Sequence, residues 1–256
     1  MSTTLSADLW IRRFRPSPDA AGRLVCFPHA GGSASFYVPV ADALSPGVDV
    51  LAIQYPGRQD RRNEPGPASV AELADGVAAA LAGWDDRPLT FFGHSMGALV
   101  AFETARRMER TGAGPVRLFA SGRRAPSRTR DEHVHTLDDD GVVAELRALA
   151  GTDAKVLQDE ELLRMVLPAI RSDYRAVETY RCEPGARLRC PVTVLTGDAD
   201  PRTSLEEARA WSGHTEGDCD VRVFSGGHFF LSERPGEVLA VLTEHFATGR
   251  TTGPAA

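Results

Sequence analysis

The chain has 256 residues, 42% of them hydrophobic and 25% charged, with a formal net charge of −6 at pH 7. That length and balance suit one large α/β domain with a sizeable core. No apolar run approaches the roughly 20 residues of a membrane helix, and the negative balance argues against general nucleic-acid binding. The opening MSTTLSADLW lacks a basic segment followed by a hydrophobic stretch, so no export signal is expected. Cys26, Cys182, Cys190 and Cys219 form no CxxC pair, and reduced thiols in a cytoplasm are the expectation.

Short apolar runs alternate with helical patterns along the chain. RLVCF (23–27) reads as a strand, followed by a glycine-rich loop and a helix near 34–44. VDVLAIQYPG (48–57) is the next strand with its loop, and 69–84 a helix. LTFFG (89–93) is a strand, 96–112 a helix closed by Gly112, and 116–122 a strand. Strands at 191–197 and 220–227 follow, with helices near 204–212 and 235–247. Strands apolar on both faces and separated by helices imply a mostly parallel sheet covered on both sides.

The alternation breaks at 122–187, a polar, mostly helical stretch that reads as an insertion packed over one end of the sheet. Sites in such sheets lie at the carboxyl ends of the strands, so this insertion is expected to be a lid. Within it, Leu162, Leu163, Val166, Leu167 and Ile170 recur at helical spacing, as do Tyr174, Val177 and Tyr180. Most of these are expected to pack helices, with a minority lining a channel. Residues 248–256 read as a disordered tail, leaving one domain over 1–256.

Gly93-His94-Ser95-Met96-Gly97 fits G-x-S-x-G, the turn that lifts a nucleophilic serine between a strand and a helix. A Cβ at either glycine would collide in so tight a turn, and the Met96 N–H at the helix start could meet a developing oxyanion. The bland alternative is a tight turn with an incidental serine. A serine at neutral pH needs a base, and the base an orienting carboxylate.

Asp198 and Asp200 both follow the 191–197 strand. Asp200 is preferred because it lies further into the loop, and Asp198 reads as a loop cap. His228, after a strand and two glycines, is the preferred base over His214, in a polar loop, and His245, inside the last helix. His133 and His135 form an HxH pair without further ligand spacing, so no metal is expected. His29 and His94 flank the site in sequence and read as structural or orienting. The loop FPHAGGSASF lacks the spacing of a phosphate-binding loop, and Ala30 or a neighbour could supply a second oxyanion N–H.

FPHAGGSASFY, QYPGRQDRRNEP, FFGHSMGALVAFE, ASGRRAP, LLRMVLPAIRSDYRAVETY, GDADP and SGGHFFL run through nearly the whole chain. Together they resemble the type II thioesterases of polyketide and nonribosomal peptide synthesis. The resemblance implies the α/β-hydrolase fold, a catalytic set at Ser95, Asp200 and His228, and an oxyanion hole at Ala30 and Met96. It implies no cofactor, and a carrier protein bearing acyl-phosphopantetheine as partner, with editing of stalled or aberrant acyl groups as the task. A cytoplasmic monomer that touches neither membrane nor nucleic acid is expected. Arg123, Arg124, Arg128 and Arg130 could form a docking patch for an acidic carrier, or a solvated loop balanced by Asp131 and Glu132. The alternatives are a general carboxylester hydrolase and a non-catalytic binding protein on the same fold.

Overall fold

The computed structural model describes residues 9–149 and 159–248. Seven strands form one sheet in the order β1-β3-β2-β4-β5-β6-β7. They are β1 (Ile11–Arg12), β2 (Arg23–Phe27), β3 (Asp49–Ile53), β4 (Leu89–His94), β5 (Arg117–Ser121), β6 (Val192–Gly197) and β7 (Cys219–Phe224). All neighbours are parallel except β1, which runs antiparallel to β3 with Ile11 opposite Ile53. The strand pattern alone does not anticipate β1, because two residues are too short to carry a period.

The pleat sorts the core into two layers. Val25 and Phe27 face one side of the sheet with Phe91, against helices α2 (Val70–Ala80) and α3 (Met96–Arg110). Leu24 and Cys26 face the other with Phe92, against α1 (Val38–Leu44) and the last helix, Pro235–Ala247. The expected 34–44 helix is two pieces, a 3₁₀ turn at Ala34–Tyr37 leading into α1, with Pro39 in the first turn where its missing N–H costs nothing. Ser69 caps α2 by accepting from the Glu72 N–H, and Gly112, at φ +83°, follows the end of α3.

Between β5 and β6 lie α4 (Asp139–Leu149) and α5 (Glu160–Glu178), with residues 150–158 outside the described set. These helices share a small core of their own that includes Val142, Leu146, Leu167 and Ile170. After β6 come α6 (Leu205–Arg209), α7 (Phe230–Glu233) and α8 (Pro235–Ala247). The expected tail lies outside the described residues apart from Thr248, whose N–H still closes α8 on the Glu244 carbonyl at 3.1 Å.

Candidate active site

The turn from β4 to α3 is built around contacts too close for a side chain. A Cβ on Gly93 would lie 2.2 Å from the Gly97 carbonyl oxygen, and one on Gly97 would lie 2.0 Å from the Phe27 oxygen of β2. Backbone therefore passes backbone at both positions, which explains the two glycines. Between them Ser95 has φ +53° and ψ −115°, a strained conformation for a residue with a side chain. Its N–H is tied to the Ser121 carbonyl at 2.8 Å. The serine thus stands at the positive end of α3, a helix of 15 residues.

Two further loops converge on it. β6 ends at Gly197, where a Cβ would lie 2.4 Å from the carbonyls of both Gly226 and Gly227. That close approach presses the loop carrying Asp200 against the loop carrying His228. His228 Nε2 lies 3.0 Å from Ser95 Oγ, and its Nδ1 lies 3.0 Å from each carboxylate oxygen of Asp200. Asp200 also accepts from the Arg202 N–H at 2.8 Å, and its side chain is fully buried. Asp198 instead accepts from the Gly226 N–H at 3.0 Å and shapes the turn before the histidine.

The other histidines have separate occupations. His214 Nδ1 donates to the Ala186 carbonyl at 2.9 Å, and Nε2 sits 2.7 Å from Ser127 Oγ. His245 Nε2 pairs with Thr90 Oγ1 at 2.9 Å in the core. His135 pairs with Glu178 and His133 with Asp131, and no cluster of metal-binding side chains occurs among the described residues.

His94 is fully buried, its Nδ1 3.0 Å from Ser121 Oγ and its ring 5.1 Å from that of His228. Burial, then the neighbouring His228 and His29, holds its proton affinity well below the usual histidine range. His29 packs edge-on against Phe36 and Phe229, and burial pushes its pKa down to about 3. Both rings are neutral walls of the site.

A cleft opens over the serine. Ala30, Met96, His228 and Phe229 form its floor, and Leu146, Leu149, Tyr174 and Val177, from α4 and α5, form the opposite side. Of the insertion positions singled out in the sequence, Tyr174 and Val177 therefore line the cleft. Leu167 and Ile170 pack the small core, Leu162 is exposed, and Tyr180 donates its hydroxyl to Glu103 at 2.9 Å. Leu146 and Leu149 are lining residues that the sequence reading did not single out. Their helical spacing was the available signal.

The four arginines line one groove, but two of them are buried rather than solvated. Arg123 and Arg124 are buried: Trp211 donates to the Arg123 carbonyl at 2.8 Å, and Arg124 pairs with Glu132. Arg130 binds Glu207 at 2.8 Å, which leaves Arg128 as the one with a side chain more than half exposed. Arginine-rich sequence reads as solvated, but Glu132 and Glu207 neutralise these side chains within the fold. Arg123 and Arg202 face the cleft, and burial beside Arg124 and Arg202 pushes Arg123 down to about 9. Its buried Nε has no partner among the described residues.

Known proteins resemble the chain over most of its length. A probable cadicidin biosynthesis thioesterase from Streptomyces griseus is 59% identical over 228 residues, covering 89% of this chain and 63% of that protein. Thioesterase PikA5 from Streptomyces venezuelae is 53% identical over 248 residues, covering 96% of this chain and 88% of that one. The solved structure of the type II thioesterase BorB, from the borrelidin biosynthetic cluster, superposes with a TM-score of 0.88 at 54% identity. It covers 93% of this chain and 98% of its own, so the two share the α/β-hydrolase fold that the resemblance implies. A thioesterase domain family model matches residues 22–246, from the start of β2 to the end of α8. With its serine turn, its cleft and that match on one continuous stretch, the chain belongs to the thioesterase domain family.

Proposed function

We propose that the protein is a serine thioesterase that hydrolyses acyl groups from the phosphopantetheine arms of carrier proteins, clearing stalled or aberrant intermediates from biosynthetic assembly lines. The observation that carries this reading is the continuous Ser95–His228–Asp200 hydrogen-bond chain at a cleft lined by Leu146, Leu149 and Val177 and by the charged side chains of Arg123, Glu132, Glu178 and Arg202. Cadicidin and borrelidin biosynthesis, named for two of the relatives, are the settings that suggest the carrier-bound substrate. The chain acts as one domain in which 122–187 is the lid over the cleft, and it works as a cytoplasmic monomer.

In this mechanism Ser95 Oγ attacks the thioester carbonyl carbon while His228 Nε2 takes the hydroxyl proton. His228 Nδ1–H donates to Asp200, which stabilises the imidazolium as it forms. The oxyanion is met by the N–H groups of Met96 and Ala30. Three neighbouring N–H groups of the 27–36 loop are already engaged, since Gly31, Gly32 and Ala34 donate to Asp173, His29 and Gln54. The Ala30 N–H has no acceptor among the described residues.

Collapse of the tetrahedral intermediate breaks the C–S bond, and the leaving sulfur takes the proton from His228. A thiol with a pKa near 8.5 departs readily, so acylation and the later attack of water are the steps that need the base. His228 then accepts a proton from water, hydroxide adds to the acyl-enzyme, and the carboxylic acid leaves as Ser95 is reprotonated.

The test is to load acyl groups onto a carrier protein's phosphopantetheine arm and follow deacylation by intact-mass spectrometry. Ser95→Ala runs in parallel. Rapid loss of the acyl group, absent with Ser95→Ala, is expected. Equal rates for the two proteins would sink the proposal, and faster turnover of oxygen esters than of thioesters would make the chain a general carboxylester hydrolase instead.

A further inference from the structure

Helix α5 reaches beyond the cleft wall and lies across the turn that carries Ala30. At Gly31, where φ is +75°, a Cβ would lie 2.8 Å from Ile170 Cγ1, so the helix sits directly on a left-handed turn. One turn further along α5, Asp173 is fully buried and its carboxylate receives three donors. Oδ2 accepts from the Gly31 N–H at 2.7 Å and from Arg58 Nη1 at 2.8 Å, and Oδ1 accepts from Arg58 Nη2 at 2.8 Å. Arg58 comes from the loop after β3. It also donates to the Gly32 carbonyl at 3.0 Å and to the Pro56 carbonyl at 3.2 Å.

These bonds fix the peptide planes around Ala30. The Gly32 N–H donates to the His29 carbonyl at 2.9 Å, which orients the His29–Ala30 peptide unit. In a trans peptide the N–H points opposite to the C=O, so the same bond sets where the Ala30 N–H points. The Gly31 N–H, held by Asp173, orients the Ala30–Gly31 unit, and the Gly32 carbonyl, held by Arg58, orients the Gly32–Ser33 unit. One buried ion pair therefore controls the turn on the far side of the residue assigned to the oxyanion.

We infer that Asp173 and Arg58 are positioning residues for the oxyanion hole, so that the seating of α5 on the sheet sets the rate of attack at Ser95. This rests on the proposed thioesterase mechanism, in which Ala30 supplies one of the two N–H donors. Neither side chain lines the cleft over Ser95. Their effect passes through the backbone of residues 30–32. A turn released from Asp173 no longer aims its donor at the tetrahedral oxygen, and this interaction is worth far more in the transition state than in the bound substrate.

The test compares the full chain with Asp173→Asn and Arg58→Lys. Two readouts are taken: steady-state hydrolysis of a short acyl N-acetylcysteamine thioester, and inhibition by an alkyl boronic acid that forms a tetrahedral adduct on Ser95. Loss of one oxyanion donor costs about 10²–10³ in kcat, and misaiming it should cost roughly 10–100-fold. The expected result is that fall in kcat per folded molecule, a parallel rise in the boronic acid Ki, and a KM and pH profile close to those of the parent.

Values of kcat and Ki within about twofold of the parent, normalised to folded protein, would overturn the inference and leave the ion pair a brace for α5. A parent chain that hydrolyses no thioester refutes the proposed function, whereas the boronic acid comparison still reads the turn. If neither variant folds, hydrogen exchange of the parent decides. Protection that spreads from 29–33 to 166–177 on adduct formation supports the coupling, and protection confined to the turn refutes it.

Discussion

Lowering the pH from about 7.5 to about 5.5 tests the two neutral histidines beneath the site as a matter of linkage. His94 is fully buried and His29 nearly so, and each ring has a nitrogen without a partner, Nε2 of His94 and Nδ1 of His29. A proton added there would find no acceptor. Burial holds His29 at about 3, with His228 and Arg58 adding to the effect, and His94 well below the usual range. In the unfolded chain both titrate near 6.5. Between the two values the unfolded chain binds more protons, so stability is complete above about pH 6.5 and falls as the pH drops below it. At about pH 5.5 His29 removes roughly 1 kcal/mol, and His94 acts in the same direction. His214, lowered chiefly by burial, acts in the same direction. Urea unfolding followed by circular dichroism at the two pH values measures the loss. His29→Gln is expected to lose roughly 1 kcal/mol less than the parent between them, and His94→Asn is also expected to lose less than the parent. If either variant loses stability as steeply as the parent, that histidine is not held neutral by the fold.

Three more outcomes follow from particular contacts. Gly97→Ala and Gly93→Ala should yield no folded protein, because the new Cβ meets backbone at 2.0 and 2.2 Å. Gly112→Ala, at φ +83° with open space around it, should cost only about 1 kcal/mol in thermal melts. Asp200→Asn should lower kcat by about 10⁴, whereas Asp198→Asn should change it less than about threefold, both read on one thioester substrate. Trp211→Phe removes the donor to the Arg123 carbonyl and should cost about 1–3 kcal/mol by urea unfolding.

The strands β2 to β6 were legible because each is a short, mostly apolar run, which a sheet covered by helices makes common, and the edge strand β7 by the alternation in DVRVF. The three side chains that the fold brings together, Ser95, Asp200 and His228, were legible for a different reason: each follows a strand end, and position in the loop separated Asp200 from Asp198 and His228 from His214. What escaped the sequence was pairing at a distance. Arg58 and Asp173 are 115 positions apart, and neither has a local pattern that announces the other. Arg123 and Arg124 misled in one respect only: Glu132 does pair with Arg124, but both arginines are buried rather than solvated. β1 was invisible because its two residues gain strand character only from β3.

The way α5 rests on the sheet also sets limits on chimeras that exchange the insertion to widen acyl scope. Ile170 meets Gly31, Ser172 Oγ donates to the Pro67 carbonyl at 2.7 Å and leaves no room for a side chain on Gly66, and Asp173 holds Arg58. The graftable unit is therefore discontinuous: α4 and α5 together with positions 31, 58 and 66–67. A transplant cut only at the ends of the inserted segment would bring a new roof but leave its footings behind. Libraries aimed at Leu146, Leu149, Tyr174 and Val177, which face the cleft without entering the Arg58–Asp173 pair, vary the wall while keeping those footings intact.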